Sequence, residues 1–121
     1  MKRTKTAMRA EADRLFSRRV RSRGICQALG FDGLACAGPL QCAHVVRRRY
    51  LSVRWDDDNA ACLCAAHHVY FTHHHLAEDR FHNQLLSPER FAELKARAEQ
   101  ARGRPDYEAI LARLRQEVNA V

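Results

Sequence analysis

Apolar residues recur at helical spacing early in the chain. Met8, Ala12, Leu15 and Phe16 share one face of the segment 7–20, and its other face is basic. That spacing predicts an amphipathic helix. Residues 24–39 show no period, and Gly24, Gly30, Gly33 and Gly38-Pro39 punctuate them; an irregular loop needing an outside constraint is expected. Leu40–Val46 is short and apolar with β-branched residues at its end, which reads as a strand closed by Arg47-Arg48-Arg49. In Tyr50–Trp55, Leu51, Val53 and Trp55 alternate with Ser52 and Arg54, predicting the second strand of a hairpin, with Asp56–Asn59 as a turn. Residues 60–75 should begin extended and become helical near Cys64. Val69, Tyr70 and Phe71 supply packing surface, and His73-His74-His75 forms a solvated helix end. Ser87-Pro88-Glu89 is a strong helix start, followed by a buried stripe of Phe91, Leu94, Ala98 and Ala101 and a stop at Gly103. A last helix begins near Asp106, with Tyr107, Ile110, Leu111, Leu114 and Val118 on one face. No internal repeat is visible.

The chain divides into a basic N-terminal helix or arm (1–23), a central core (24–86) and C-terminal helices (87–121). At 121 residues it makes one small domain, whose apolar burial is marginal enough that a metal staple would help. Its net charge of +7 favours an anionic partner, nucleic acid before acidic membrane. No apolar run approaches the ~20 residues of a membrane span, and the N-terminus lacks the apolar centre of a secretory signal. A cytoplasmic location follows as the expectation. There, five cysteines are metal ligands or free thiols rather than disulfides.

Zinc takes four sulfur or nitrogen ligands in a tetrahedral array, and short Cys-x-x-Cys/His loops supply them in pairs. Cys64-x-x-His67 is one such pair, and Cys26 with Cys36 is the natural second, across a longer loop. Cys42 and Cys62 compete for the same role. Between and around these cysteines run His44, Asn59 and His68, in the spacing His-x14-Asn-x8-His.

The stretch from Gln41 to Thr72 resembles the HNH endonucleases, above all the small, zinc-containing phage type similar to phage recombination nucleases. The resemblance rests on Leu-Gln-Cys-Ala-His at 40–44, a basic run, Arg-Trp-Asp at 54–56, Asp-Asn-Ala at 58–60 and Leu-Cys-x-x-His-His at 63–68. Its specific motifs span 26–72 and its full extent about 18–98. It implies an α+β fold: a ββα-metal (His-Me finger) core with a zinc-bound loop and flanking helices. It also implies a metal-dependent DNA endonuclease with a phage role in recombination, packaging or processing, in the host cytoplasm, beside other phage proteins. His44 would be the general base, Asn59 would brace the loop that orients it, and His68 would hold a catalytic Mg²⁺ or Mn²⁺. Zinc-containing relatives more often carry two Cys-x-x-Cys pairs; here the first pair is stretched and His67 replaces the last cysteine.

One departure bears on activity. The residue before the base histidine is often a second metal ligand in this family, and here it is Ala43. A substitute could come from Asp56–Asp58, Thr72, His73, or bound water and the substrate phosphate. Arg47, Arg48, Arg49 and Arg54 are expected to contact flanking phosphates, which positions nucleic acid without reading its sequence. Trp55, Tyr70 and Phe71 read as core. Two other functions fit the same residues: a zinc-stabilised DNA-binding module without catalysis, and an assembly protein that docks through its terminal helices.

Overall fold

A computed structural model describes residues 3–100 and 103–119. Ala101, expected on the stripe of the fourth helix, lies outside them, as do the first two residues of the basic arm. The fold is α+β, with five α-helices and one two-stranded antiparallel sheet among the described residues. No helix among the described residues is long and apolar enough to cross a membrane.

Helix α1 spans Lys5–Arg21, two residues earlier than its apolar period begins, because Thr4 caps it: the Thr4 hydroxyl accepts the Ala7 N–H at 3.0 Å. Strand β1 (Leu40–His44) pairs with β2 (Ala60–Cys64), matching Leu40 to Cys64, Cys42 to Cys62 and His44 to Ala60. Side chains alternate across such a pair. One face of the sheet puts Ala60 and Cys62, with Leu40 and Cys42 beside them, against Ala12, Phe16 and Val20 of α1. Helix α5 (Tyr107–Asn119) closes that layer with Tyr107, Leu111 and Leu114. The other face puts Ala43, Ala61 and Leu63 against Phe71 of α2 (Ala65–His73) and Ala77 and Phe81 of α3 (His75–Leu86). Helix α4 (Pro88–Gln100) builds a third cluster from Phe91, Leu94 and Ala98 with Leu86 and Val53. Ser87 caps α4 by accepting the Arg90 N–H at 3.3 Å.

The structure corrects three expectations. Tyr50–Trp55 is not a strand. Its amides bond locally, Val53 N–H to the Tyr50 carbonyl (3.1 Å) and Asp56 N–H to the Val53 carbonyl (3.2 Å), so it is a run of turns. The alternation of Leu51, Val53 and Trp55 distributes side chains between separate clusters: Leu51 and Trp55 to the layer under α1, Val53 to the layer under α4. The strand partner of β1 is instead β2, buried at every position and so without a period of two. Strand β1 stops at His44, not Val46, because Asn59 takes the next two amides, with its carbonyl on Val45 (3.1 Å) and its side-chain oxygen on Val46 (2.5 Å). The segment after His74 is a full helix, α3, turned back by a kink at His74 (φ −136°, ψ 77°).

His82 on α3 is 7% exposed and packs edge-on against Phe91 at 5.4 Å between ring centroids. Burial pushes its pKa down to about 4, so the folded state holds the neutral ring. A folded pKa below the unfolded value of about 6.5 gives stability that is intact above 6.5 and lost as pH falls toward 4. Chemical denaturation of wild type and His82→Gln at pH 7 and pH 5 measures this. The wild type should lose ~2 kcal/mol more than the variant over that interval.

Candidate metal centre and imidazole cavity

The loop 24–39, irregular in sequence, is fastened to the outer edge of β2. The Gln27 N–H donates to the Cys62 carbonyl (2.8 Å), and the Gln27 side-chain oxygen accepts the Cys62 N–H (2.8 Å). This covers an otherwise open strand edge and delivers Cys26 to the end of the sheet. At the far side of the loop the Ala37 carbonyl accepts the Ala66 N–H (3.0 Å), bringing Cys36 to the start of α2. Gly38 is required at that approach. Its φ is +83°, and a Cβ there would sit 2.7 Å from the Ala65 Cβ. Cys64, last residue of β2, is the N-cap of α2, and its sulfur accepts the His67 N–H at 3.4 Å.

These placements gather Cys26, Cys36, Cys64 and His67, with all four ligand atoms within 4.8 Å of one another. The His67 Nδ1 lies 3.6 Å from the Cys26 and Cys36 sulfurs and 3.2 Å from that of Cys64. Nitrogen and sulfur on one tetrahedral zinc stand about 3.6 Å apart, given Zn–S of about 2.3 Å and Zn–N of about 2.0 Å. The donor set therefore fits a zinc ion, and the cluster could hold one. Electrostatics agree. Burial opposes ionisation of Cys64, but the His67 N–H and ring, the Ala37 N–H and Cys36 outweigh it and bring its pKa down to about 6. Desolvation and the neighbouring Cys26 and Cys64 sulfurs push Cys36 up to about 11. A dication bound among these sulfurs would offset the desolvation that opposes their ionisation. His67 is fully buried, and its Nε2 has no hydrogen-bond partner. An imidazole ligating through Nδ1 must carry its proton on that orphaned nitrogen. Leaving it unpaired costs about 1–3 kcal/mol, which a metal–nitrogen bond offsets.

Cys42 and Cys62, rivals for the same role, lie outside this cluster, opposite one another in the sheet and against α1. Burial raises both thiols, Cys42 to about 11, so they are protonated packing groups.

His44 and His68 border a second site, a cavity of about 280 Å³. His68 reaches it from α2, whereas the His44 ring lies 5.6 Å from Phe16 of α1, on the face of the sheet that carries Ala60 and Cys62. The His44 Nε2 lies 2.8 Å from the Arg54 carbonyl. A carbonyl only accepts, so Nε2 carries the hydrogen and Nδ1 keeps a lone pair. Burial lowers the His44 pKa, partly opposed by that backbone bond. The His68 Nδ1 lies 2.7 Å from the Gln41 side-chain oxygen, so it donates there and its Nε2 keeps the lone pair. Asn59, fully buried, ties the loop that carries Arg54: its amide donates to the Val53 carbonyl (2.9 Å) and the Val46 carbonyl (3.1 Å).

The aspartates of 56–58 are not available to this cavity. Asp56 pairs with Arg97 (2.5 Å), Asp57 with Arg19 (3.0 Å) and Asp58 with Arg90. Thr72 lines the cavity, but its hydroxyl donates to the His68 carbonyl; His73 is exposed and is not among the lining residues. Arg54 also departs from expectation. It is 9% exposed and grips Asp13 with two bonds (3.0 and 2.6 Å), which leaves no face for a phosphate. Arg48 binds the same aspartate (2.7 Å), and Arg49 lies over Tyr50 at 4.9 Å. Arg47 lines the cavity and is exposed. Sequence reasoning missed Gln41, the Arg54 carbonyl and Glu78, a further lining residue. Only Gln41 had a signal, as a polar residue inside an apolar strand.

No protein-family model matches the chain, and neither does any curated protein or solved structure.

Purified protein should carry about one zinc per chain by elemental analysis, and cobalt in its place should show thiolate-to-metal absorption. Chelation, or Cys64→Ser, should lower the melting temperature by ~10 °C or more, as expected for a staple worth a few kcal/mol in a domain this small. Cys42→Ala should leave the metal content unchanged.

Proposed function

We propose that the chain is a metal-dependent DNA endonuclease of the HNH type, with β1, β2 and α2 as its ββα-metal element. The observation that carries this reading is that His44 and His68 border one cavity with their tautomers fixed in opposite senses. His44 has a free Nδ1, set by a backbone carbonyl, and His68 has a free Nε2, set by Gln41. One nitrogen is disposed as a base and the other as a ligand.

His68 Nε2 would hold a divalent ion, Mg²⁺ or Mn²⁺, which when bound supplies positive charge to the scissile phosphate and the leaving oxygen. His44 Nδ1 takes a proton from water as the water oxygen attacks phosphorus. The bond from phosphorus to the 3′ oxygen breaks, that oxygen takes a proton from a second water, and the products are a 5′-phosphate and a 3′-hydroxyl. Asn59 keeps the 46–53 loop, and with it the Arg54 carbonyl, in register with His44. Arg47, at the cavity, is placed to contact a flanking phosphate. A role in phage recombination, packaging or DNA processing follows from the resemblance.

Ala43 favours a second reading, a zinc-stabilised DNA-binding module without catalysis, since β1 offers no ligand beside His44. Nicking of supercoiled plasmid with Mg²⁺ or Mn²⁺ separates the two. The nuclease reading expects nicking that His44→Ala lowers by ~10²–10⁴-fold while DNA binding persists. Binding without nicking in either metal would leave the second reading. Burial lowers the His44 pKa, so the base stays unprotonated to a lower pH than a free imidazole. The acid limb of the rate profile should therefore fall below pH 6.5, the ordinary imidazole value of about 6.5 being the reference.

A further inference from the structure

We infer that Glu78 of α3 is the carboxylate ligand that β1 lacks at Ala43, and that it binds the divalent ion of the imidazole cavity together with His68. The inference rests on the reading of that cavity as an ion site. Mg²⁺ and Mn²⁺ are oxygen-seeking ions, and a single imidazole is a poor site for either; one or two carboxylates normally complete the protein's share. Ala43, His44, His68 and Glu78 line the same cavity, and Glu78 is its one carboxylate among the described residues.

The pairing of charges points the same way. Glu11, Asp13, Asp32, Asp56, Asp57, Asp58 and Glu117 are each held by an arginine. Glu78 is not. The His75 Nδ1 lies 4.0 Å from it, Arg47 acts on it only through longer-range charge, and its side chain is 33% exposed. A half-buried carboxylate in a chain with 21 lysines and arginines would gain from one of them. This one lines the cavity that His68 also borders.

The fold fixes where Glu78 stands. Its neighbour Ala77 is buried against the sheet layer, and Phe81 stacks on Phe71 of α2 with 4.8 Å between ring centroids. The chain bends at His74, and Glu78 in the first turn of α3 lines the same cavity as His68 of α2. A ligand lost from the strand is thereby recovered from the next helix along the chain.

The test is Mn²⁺ binding to the zinc-loaded, DNA-free protein, read by loss of the free-ion electron paramagnetic resonance signal. Glu78→Gln should weaken binding at least tenfold, as His68→Ala does, with zinc content and melting temperature unchanged. Glu78→Asp should recover part of the loss, and adding Ala43→Asp to Glu78→Ala should recover most of it. If His68→Ala weakens binding and Glu78→Gln does not, the inference is overturned while the ion site stands. Loss in Glu78→Gln without recovery by Ala43→Asp overturns the replacement of position 43. If neither His68→Ala nor Glu78→Gln alters Mn²⁺ binding, or wild type binds none, the ion-site reading fails with the inference.

Discussion

The rotation of α2 about its own axis is set by the contact between Cys64 and His67, and both sites depend on it. Cys64 is at once the last rung of the sheet, the cap of the helix and a member of the thiol cluster. Its sulfur holds the His67 N–H and lies 3.2 Å from the His67 ring. Successive residues on a helix point about 100° apart. Once His67 is turned into the thiols, His68 must leave the helix on another side, and that side meets Gln41 of β1 and the cavity. Two adjacent histidines thus enter two different places, His67 the thiol cluster and His68 the cavity. The same sheet separates them, with Cys64 at one end of the ladder and His44 at the other.

Structure of this kind suits a chain too short to build one large core. Three modest clusters share the sheet and the five helices. The segment between the strands, 45–59, has no ladder of its own and relies on side chains. Asn59 contributes most: it is fully buried and satisfied by three bonds to the loop. Removing it would leave those groups unpaired in a dry setting, a cost of about 1–3 kcal/mol for each one buried. The ion pairs of Asp56, Asp57 and Asp58 strap the same loop to α1 and α4. Each is partly exposed and worth at most about 1 kcal/mol. They guide the loop more than they hold it.

What could be read in advance follows from how local each signal is. Helices α1, α4 and α5 were legible because a cap and an apolar stripe lie within one segment. The four residues of the candidate zinc cluster were legible because zinc chemistry restricts residue type and two of them share a short loop. Tyr50–Trp55 misled because alternation records where side chains end up, and a chain of turns can send every second one inward as a strand does. Strand β2 is buried on both faces, which erases the period that would have marked it. Helix α3 went unread although Ala77, Phe81 and Leu85 repeat at a helical interval, because the three histidines before it suggested an end. Gln41, Glu78 and the Arg54 carbonyl come to the cavity and its histidines through neighbours distant in sequence, and no local pattern announces that.

Charge shows the same limit most clearly. A net +7 reads as a basic surface, yet much of the arginine is spent on internal pairing. Arg54 and Arg48 converge on Asp13, which also accepts the Trp55 N–H, so that part of the basic run shapes the loop from within. The arginines whose heads stay on the surface without an ion pair among the described residues include Arg14 and Arg18, one turn apart on α1, and Arg47 at the cavity. On the nuclease reading, phosphate contacts belong to that smaller set. Salt sensitivity scales with the phosphates neutralised, not with formal charge, so binding should respond to salt far less steeply than the sequence total suggests. The arginine-dense motif would then serve the site in two separable ways, with Arg54 fixing the base through its carbonyl and Arg47 meeting the backbone of the nucleic acid.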